Sequence, residues 1–135
     1  MEDFIIPGHK LSIIDTEQVI NMGGPWIGTL LIDGKRISTD CIIDNFIYDE
    51  IRHLLFFVKY HSLSNSRGGI YFTINFCNLD GYGIFEFEKS FDMVYLKQLV
   101  GDHEIEIYNS GHDNIQNKGI VFNMDEQAFV EIAIT

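Results

Sequence analysis

Ile70-Tyr71-Phe72-Thr73-Ile74-Asn75-Phe76-Cys77, followed after a short polar break by Ile84-Phe85-Glu86-Phe87-Glu88, decides the class of this fold. In the first run Ile70, Phe72, Ile74 and Phe76 alternate with Tyr71, Thr73 and Asn75. A period of two puts the apolar side chains on one face of a strand and the polar or aromatic ones on the other. The second run repeats the pattern, with Phe85 and Phe87 set against Ile84, Glu86 and Glu88. Asp80-Gly81 lies between them and signals a hairpin.

The same period recurs outward along the chain. Ile105 and Ile107 alternate with Glu104, Glu106 and Tyr108, and Val130, Ile132 and Ile134 with Glu131 and Ala133. Leu54–Tyr60 is apolar on both faces, as expected of a central strand covered from two sides. Asp33-Gly34, between Leu30-Leu31-Ile32 and Ile37, has the residues of a type I′ turn, in which both central positions need φ > 0. Longer polar loops are expected at 62–69 and 109–119. Short helices are allowed at Asp15–Met22, where Asp15 and Gln18 could form a capping pair, and at Asp92–Val100. Asp44-Asn45 and Asp49-Glu50 read as turns around a short strand.

The expected architecture is therefore mainly β, with residues 1–135 forming one domain. It is an antiparallel β-sandwich, partly open barrel or β-meander with at most one or two short helices. Ile70, Phe72, Ile74, Phe76, Phe85, Phe87, Ile105 and Ile107 are expected to share one core.

Charge carries the second signal. The chain has 20 Asp and Glu against 9 Lys and Arg, a formal net charge of −11. Residues 78–135 hold eleven acids and three bases, so the C-terminal half carries most of the excess. Nucleic-acid binding is opposed by this sign, because phosphate contacts need Lys and Arg. Hydrophobic residues at 46% exclude a disordered acidic tail. The longest apolar run, Leu54–Val58, is too short to span a membrane, and the first residues lack a basic leader segment. The default expectation is a cytoplasmic protein without membrane contact, with Cys41 and Cys77 as buried free thiols.

Asp102-His103-Glu104-Ile105-Glu106 is the densest titratable cluster. On a strand, Asp102, Glu104 and Glu106 project to one face, with His103 on the other face beside Ile105. Glu86 and Glu88 form a parallel acidic pair. Like charges on neighbouring strands repel, so their gathering does not serve stability. Glu86, Glu88, Asp102, Glu104 and Glu106 are therefore the candidate face for a basic protein partner.

A second candidate is a ligand platform built from Trp26 and Tyr48 with Asp44 and Asp49. Tyr71, Tyr82, Tyr95 and Tyr108 are further exposed-aromatic candidates. Asp40, Asp44, Asp49 and Glu50 could supply the two carboxylates of a glycoside hydrolase only if a pair faced a cleft. His112-Asp113 could orient an imidazole as a base. The five histidines have no metal-ligand spacing and no Cys-x-x-Cys accompanies them, so neither a metal nor a cofactor is expected. No phosphate-loop, dinucleotide, nucleophile-elbow or zinc-protease motif occurs.

The chain resembles the small acidic immunity proteins that bacteria make against their own polymorphic or contact-dependent toxins. The resemblance rests on size, acidity and phrases such as Gly34-Lys35-Arg36-Ile37-Ser38 and Asp44-Asn45-Phe46-Ile47-Tyr48-Asp49-Glu50. It implies stoichiometric inhibition, in which an acidic face covers the basic active site of a partner such as a nuclease toxin, with no catalysis by the inhibitor itself. The competing classes are a small carbohydrate- or peptide-binding β module and a carboxylate-dependent hydrolase.

Overall fold

The computed structural model describes residues 6–19, 25–62, 69–109 and 119–132. Among the described residues ten strands form two antiparallel sheets, as the alternation predicts. The larger sheet contains β1 (Leu11–Gln18), β2 (Trp26–Ile32), β3 (Lys35–Asp49), β4 (Leu54–Ser62), β5 (Ile70–Asn78), β6 (Gly83–Phe91) and β10 (Phe129–Ile132). Its order is β1-β2-β3-β4-β5-β6-β10, a meander closed off by the last strand. The smaller sheet is β7 (Tyr95–Gly101), β8 (Glu104–Tyr108) and β9 (Ile120–Asn123), in that order. One 3₁₀ turn, Met124–Glu126, joins β9 to β10.

β4 lies at the centre of the larger sheet, and its run Leu55-Phe56-Phe57-Val58 is buried on both faces. Phe56 and Val58 join Phe72, Ile74 and Phe87 against Ile105, Ile107 and Phe122 of the smaller sheet. Leu55 and Phe57 face the other way, into a second cluster with Leu30, Ile32, Ile37, Cys77 and Ile84. Burying each such side chain contributes roughly 1.5–3 kcal/mol, so both faces of β4 stabilise the sandwich.

The second cluster exists because β3 bends. Its register with β4 is irregular between Cys41 and Phe46, and Asp40 has φ 57°. Residues 35–42 pair with β2, Cys41 also pairs with Lys59 of β4, and 46–49 pair with the start of β4. Beyond this irregularity the β2–β3 hairpin brings Leu30, Ile32 and Ile37 onto Leu55 and Phe57. At its tip Asp33 and Gly34 have φ 53° and 80°, the type I′ geometry that their sequence requires. Asp33 Oδ2 accepts the Tyr82 hydroxyl at 2.6 Å and lies 2.6 Å from His9 Nδ1; Oδ1 accepts the Lys10 amide at 2.8 Å. Lys35 Nζ sits 4.7 Å over the Tyr82 ring. These contacts clamp the folded hairpin to the β5–β6 turn.

Asn45 occupies the irregular segment of β3 and bonds the backbone of Leu96 on β7. Its Nδ2 donates to Leu96 O at 3.0 Å and its Oδ1 accepts from Leu96 N at 2.8 Å. One side chain thus takes the place of a backbone pair between sheets.

Several sequence expectations change. Asp15–Gln18 belongs to β1 rather than a helix; Asp15 has φ 54° and the pairing with β2 shifts between Ile14 and Glu17. Gly28 accommodates that bulge, since a Cβ there would lie 2.5 Å from Ile13 Cγ2 and 2.9 Å from Ile14 O. The Asp92–Val100 segment becomes a bend and β7. Asp44-Asn45 is no turn but part of β3. The break after β5 is a four-residue turn, Leu79–Tyr82, with positive φ at Tyr82 instead of at Asp80-Gly81. Of the expected core, Phe72, Ile74, Phe87, Ile105 and Ile107 are buried together, Phe76 packs against them, Phe85 stacks on Phe76 at 4.9 Å, and Ile70 is exposed.

Candidate functional site at the turn end

Four connections meet at one end of the sandwich. In the β3–β4 turn the buried Asp49 accepts the amides of Ile51 and Arg52 on Oδ1, both at 3.1 Å, and Arg52 Nε on Oδ2. Burial raises the Asp49 pKa, but the Arg52 side chain and amide outweigh it and hold the carboxyl below its ordinary value. In the β5–β6 turn Asn78 Oδ1 accepts the Asp80 amide at 2.9 Å. The two turns are joined by the Leu79 amide, which donates to His53 O at 2.9 Å, and by His53 Nδ1, 3.0 Å from Asp80 Oδ1.

The smaller sheet supplies the other two connections. Asp102 and His103 form the β7–β8 turn, and the His103 carbonyl accepts the Met124 amide at 2.7 Å. His103 Nδ1 lies 3.3 Å from Asp125 Oδ1, and Asn123 caps the 3₁₀ turn by accepting the Asp125 amide at 3.0 Å.

A cleft of about 430 Å³ runs between the β3–β4 and β7–β8 turns, lined by Asp49, Ile51, Arg52, Leu99, Asp102 and His103. Arg52 and His103 also line a smaller, mostly apolar pocket of about 160 Å³. The connections at this end carry the exposed carboxylates Glu50, Asp80, Asp102, Asp125 and Glu126, with Arg52, His53 and His103 among them. Ile51 is 90% exposed at the lip of the cleft. Such an end can receive a cationic group among the carboxylates and an apolar group beside it.

The five acids expected to form one face do not assemble into one. Glu86 and Glu88 sit on β6, in the larger sheet, while Glu104 and Glu106 sit on β8, in the smaller. Phe87 and Ile105 meet in the shared core, so the alternating acids point to opposite sides of the sandwich. Asp102 and His103 lie in the turn and not on the two faces of a strand. Glu106 accepts from Gln98 at 2.7 Å and Lys97 at 3.3 Å, and these two donors, the Gln98 bond first, lower its pKa.

Glu86 is held more tightly. Its Oε2 lies 2.8 Å from His61 Nε2 and accepts the Thr73 hydroxyl at 2.7 Å. The fully buried Asn75 donates to the same hydroxyl at 3.0 Å, and His61 stacks on Tyr71 at 4.6 Å. The hydrogen bond from His61 lowers the Glu86 pKa, with burial opposing and Thr73 assisting. Glu86 therefore serves as a structural acceptor.

The platform candidates are dispersed. Trp26, 48% exposed, opens β2; Tyr48 packs on the second cluster; Asp44 is exposed in the bend of β3; Asp49 is enclosed by the β3–β4 turn. Tyr71, Tyr82 and Tyr95 bond or stack within the fold, and Tyr108 is buried. With both Asp49 oxygens engaged, the Asp40–Glu50 group offers no facing carboxylate pair among its described contacts. His112-Asp113 lies outside the described residues. Cys41 and Cys77 are free and buried, and loss of solvent raises both thiols, Cys77 to about 12.

Sequence reasoning missed Arg52, Ile51, Asp125 and Glu126. The available signal was Asp49 three residues before Arg52 with an apolar residue between, the spacing of a side chain bonding its own turn. No family model, no curated protein and no solved structure matches this chain.

Proposed function

We propose that this protein is a binding module, a stoichiometric inhibitor of the immunity type, that covers a basic protein partner with its turn end. The observation that carries the reading is that exposed carboxylates from three connections stand at this end: Asp102 lines the cleft, Asp125 lines the adjoining pocket, and Asp80 is joined to His53 of the β3–β4 turn. Gathering like charges costs stability, so a face of this kind is explained by what it meets. Lys and Arg of the partner, of the sort that line a nuclease active site, would be steered to this end and held at its rim. The exposed Ile51 beside the carboxylates provides an apolar contact inside a polar ring, the usual anatomy of a protein interface.

Of the acids first expected to bind, Asp102 stays in this face and Glu104 opens β8 beside it, while Glu86, Glu88 and Glu106 stand apart. The test begins with capture of the partner, or expression of the adjacent gene product, and titration for one-to-one stoichiometry. Asp102→Asn with Asp125→Asn and Glu126→Gln should then slow association by roughly tenfold at low salt and flatten its salt dependence. An unchanged rate and slope in the triple variant would remove the turn end as the binding face.

A further inference from the structure

The pocket behind the acidic cleft has a size and a lining that select one class of guest. Its volume is about 160 Å³, and Leu54, Phe56, Phe76, Phe87, Met124 and Phe129 make its apolar wall. We propose that this pocket is a socket for a single benzene-sized aromatic ring.

Size is the first argument. An apolar cavity of roughly 150 Å³ lined by Leu, Ile and Phe stays dry and holds one benzene. The second is the arrangement of the walls. Phe129 stands edge-on to Phe76 at 5.6 Å and 68° and to Phe87 at 5.7 Å and 70°. Ring pairs favour this edge-to-face disposition at about 4.5–7 Å, so a guest ring extends a set already built. The Met124 thioether adds the soft contact that sulfur makes with ring edges.

Exposure is the third argument. Phe129, on the edge strand, is 49% exposed, and a guest ring would cover the part of it that lines the pocket. The polar part of the lining comes last. Arg52 is half-buried, while His103 and Asp125 are exposed and paired at 3.3 Å. His103 and Asp125 are the solvated part of the lining, while Arg52 Nη2 is buried without an acceptor among the described residues. The guest therefore carries its polar part toward these three residues and an uncharged ring against the phenylalanines, where a charge would be unpaired. This chemistry has two sources, an aromatic side chain of a protein or a free small aromatic molecule.

The experiment needs no protein partner, so it stands or falls separately from the inhibitor reading. Toluene is titrated into the full-length protein carrying ¹³C-methyl methionine and followed by NMR. The Met124 methyl should shift saturably, and Met93, which does not line the pocket, should stay in place. Leu54→Trp fills the socket and should abolish the shift. Should that variant fail to fold, Phe129→Ala on the exposed edge strand decides: loss of its ring contacts should weaken toluene binding about three- to tenfold. No saturable Met124 shift, a shift that survives Leu54→Trp in the folded variant, or unchanged affinity in Phe129→Ala would each overturn the socket. N-acetyl-phenylalanine amide separates the sources. Binding of both probes supports the socket with a protein side chain as its guest, and binding of toluene alone supports it with a free aromatic molecule.

Discussion

Glu86 and the turn-end acids are the same chemistry put to opposite uses. Glu86 is enclosed by His61 and Thr73, with Asn75 behind them, and its charge is spent inside the fold. Asp102, Asp125 and Glu126 stand in water at the turn end, where Asp125 lies beside the exposed His103. The difference teaches that an acidic sequence does not by itself locate an acidic surface. A carboxylate whose oxygens are already taken contributes to stability, and one left in water contributes to the field that a partner meets.

The largest effect should come from breaking the enclosed site. Glu86→Ala removes the acceptor shared by the Thr73 hydroxyl and His61, leaving His61 Nε2 only Thr73 Oγ1 at 3.0 Å among the described contacts, which should cost about 1–3 kcal/mol in denaturant unfolding. Glu86→Gln keeps an acceptor oxygen and should cost less. A loss within about 0.5 kcal/mol for Glu86→Ala would place Glu86 with the surface acids.

The pH dependence gives a smaller, signed effect. The Glu86 pKa is lowered from 4.5, chiefly by His61, and Asp33 is lowered from 3.8 to about 2, chiefly by the Tyr82 hydroxyl. A lowered folded-state value means that the unfolded chain takes up protons first. Both contributions are thus complete above the ordinary carboxylate values and disappear as pH falls through the folded ones. For Asp33 the window lies between pH 3.8 and about 2. Stability measured across that range should decline, and Asp33→Asn should flatten the decline; an unaltered slope would mean that the hairpin clamp is not titrating.

The smallest effect belongs to the turn end. Asp102→Asn, Asp125→Asn and Glu126→Gln should each leave stability within about ±0.5 kcal/mol while changing partner association. A large stability loss there would erase the distinction between the two kinds of acid.

Local rules were legible in the sequence wherever one pattern dominated. Apolar residues on both faces of Leu54–Tyr60 announced the central strand, and Asp33-Gly34 announced its turn. Ile70 was expected in the core from its period but is exposed, because it opens β5 at the end of the sheet and is absent from the shared core. β1 was disguised by Asp15, whose helix-capping look conceals a left-handed residue in a bulge. The bend of β3 and the meeting of four turns are long-range events. Nothing within Asp49–His53 or Asp102–His103 encodes that the two turns share a cleft. The strand period was carried two residues too far, through Asp102 and His103, which form the β7–β8 turn, while Glu104 opens β8 beside it.

The position of β10 bears on the order of events during folding. β1 to β6 pair with sequence neighbours through hairpins, but β10 pairs with β6 only after the chain has traversed the whole smaller sheet. Loop closure over that separation delays the contact. Until it forms, the edge of β6 stays open, with Phe85 and Phe87 lacking Phe129 across from them. Phe129→Ala should therefore speed unfolding and leave the refolding rate nearly unchanged, whereas slowed refolding would put β10 in the nucleus. A nascent or partly unfolded chain exposes this aromatic edge at that stage, and an unpaired strand edge is a template for association between chains.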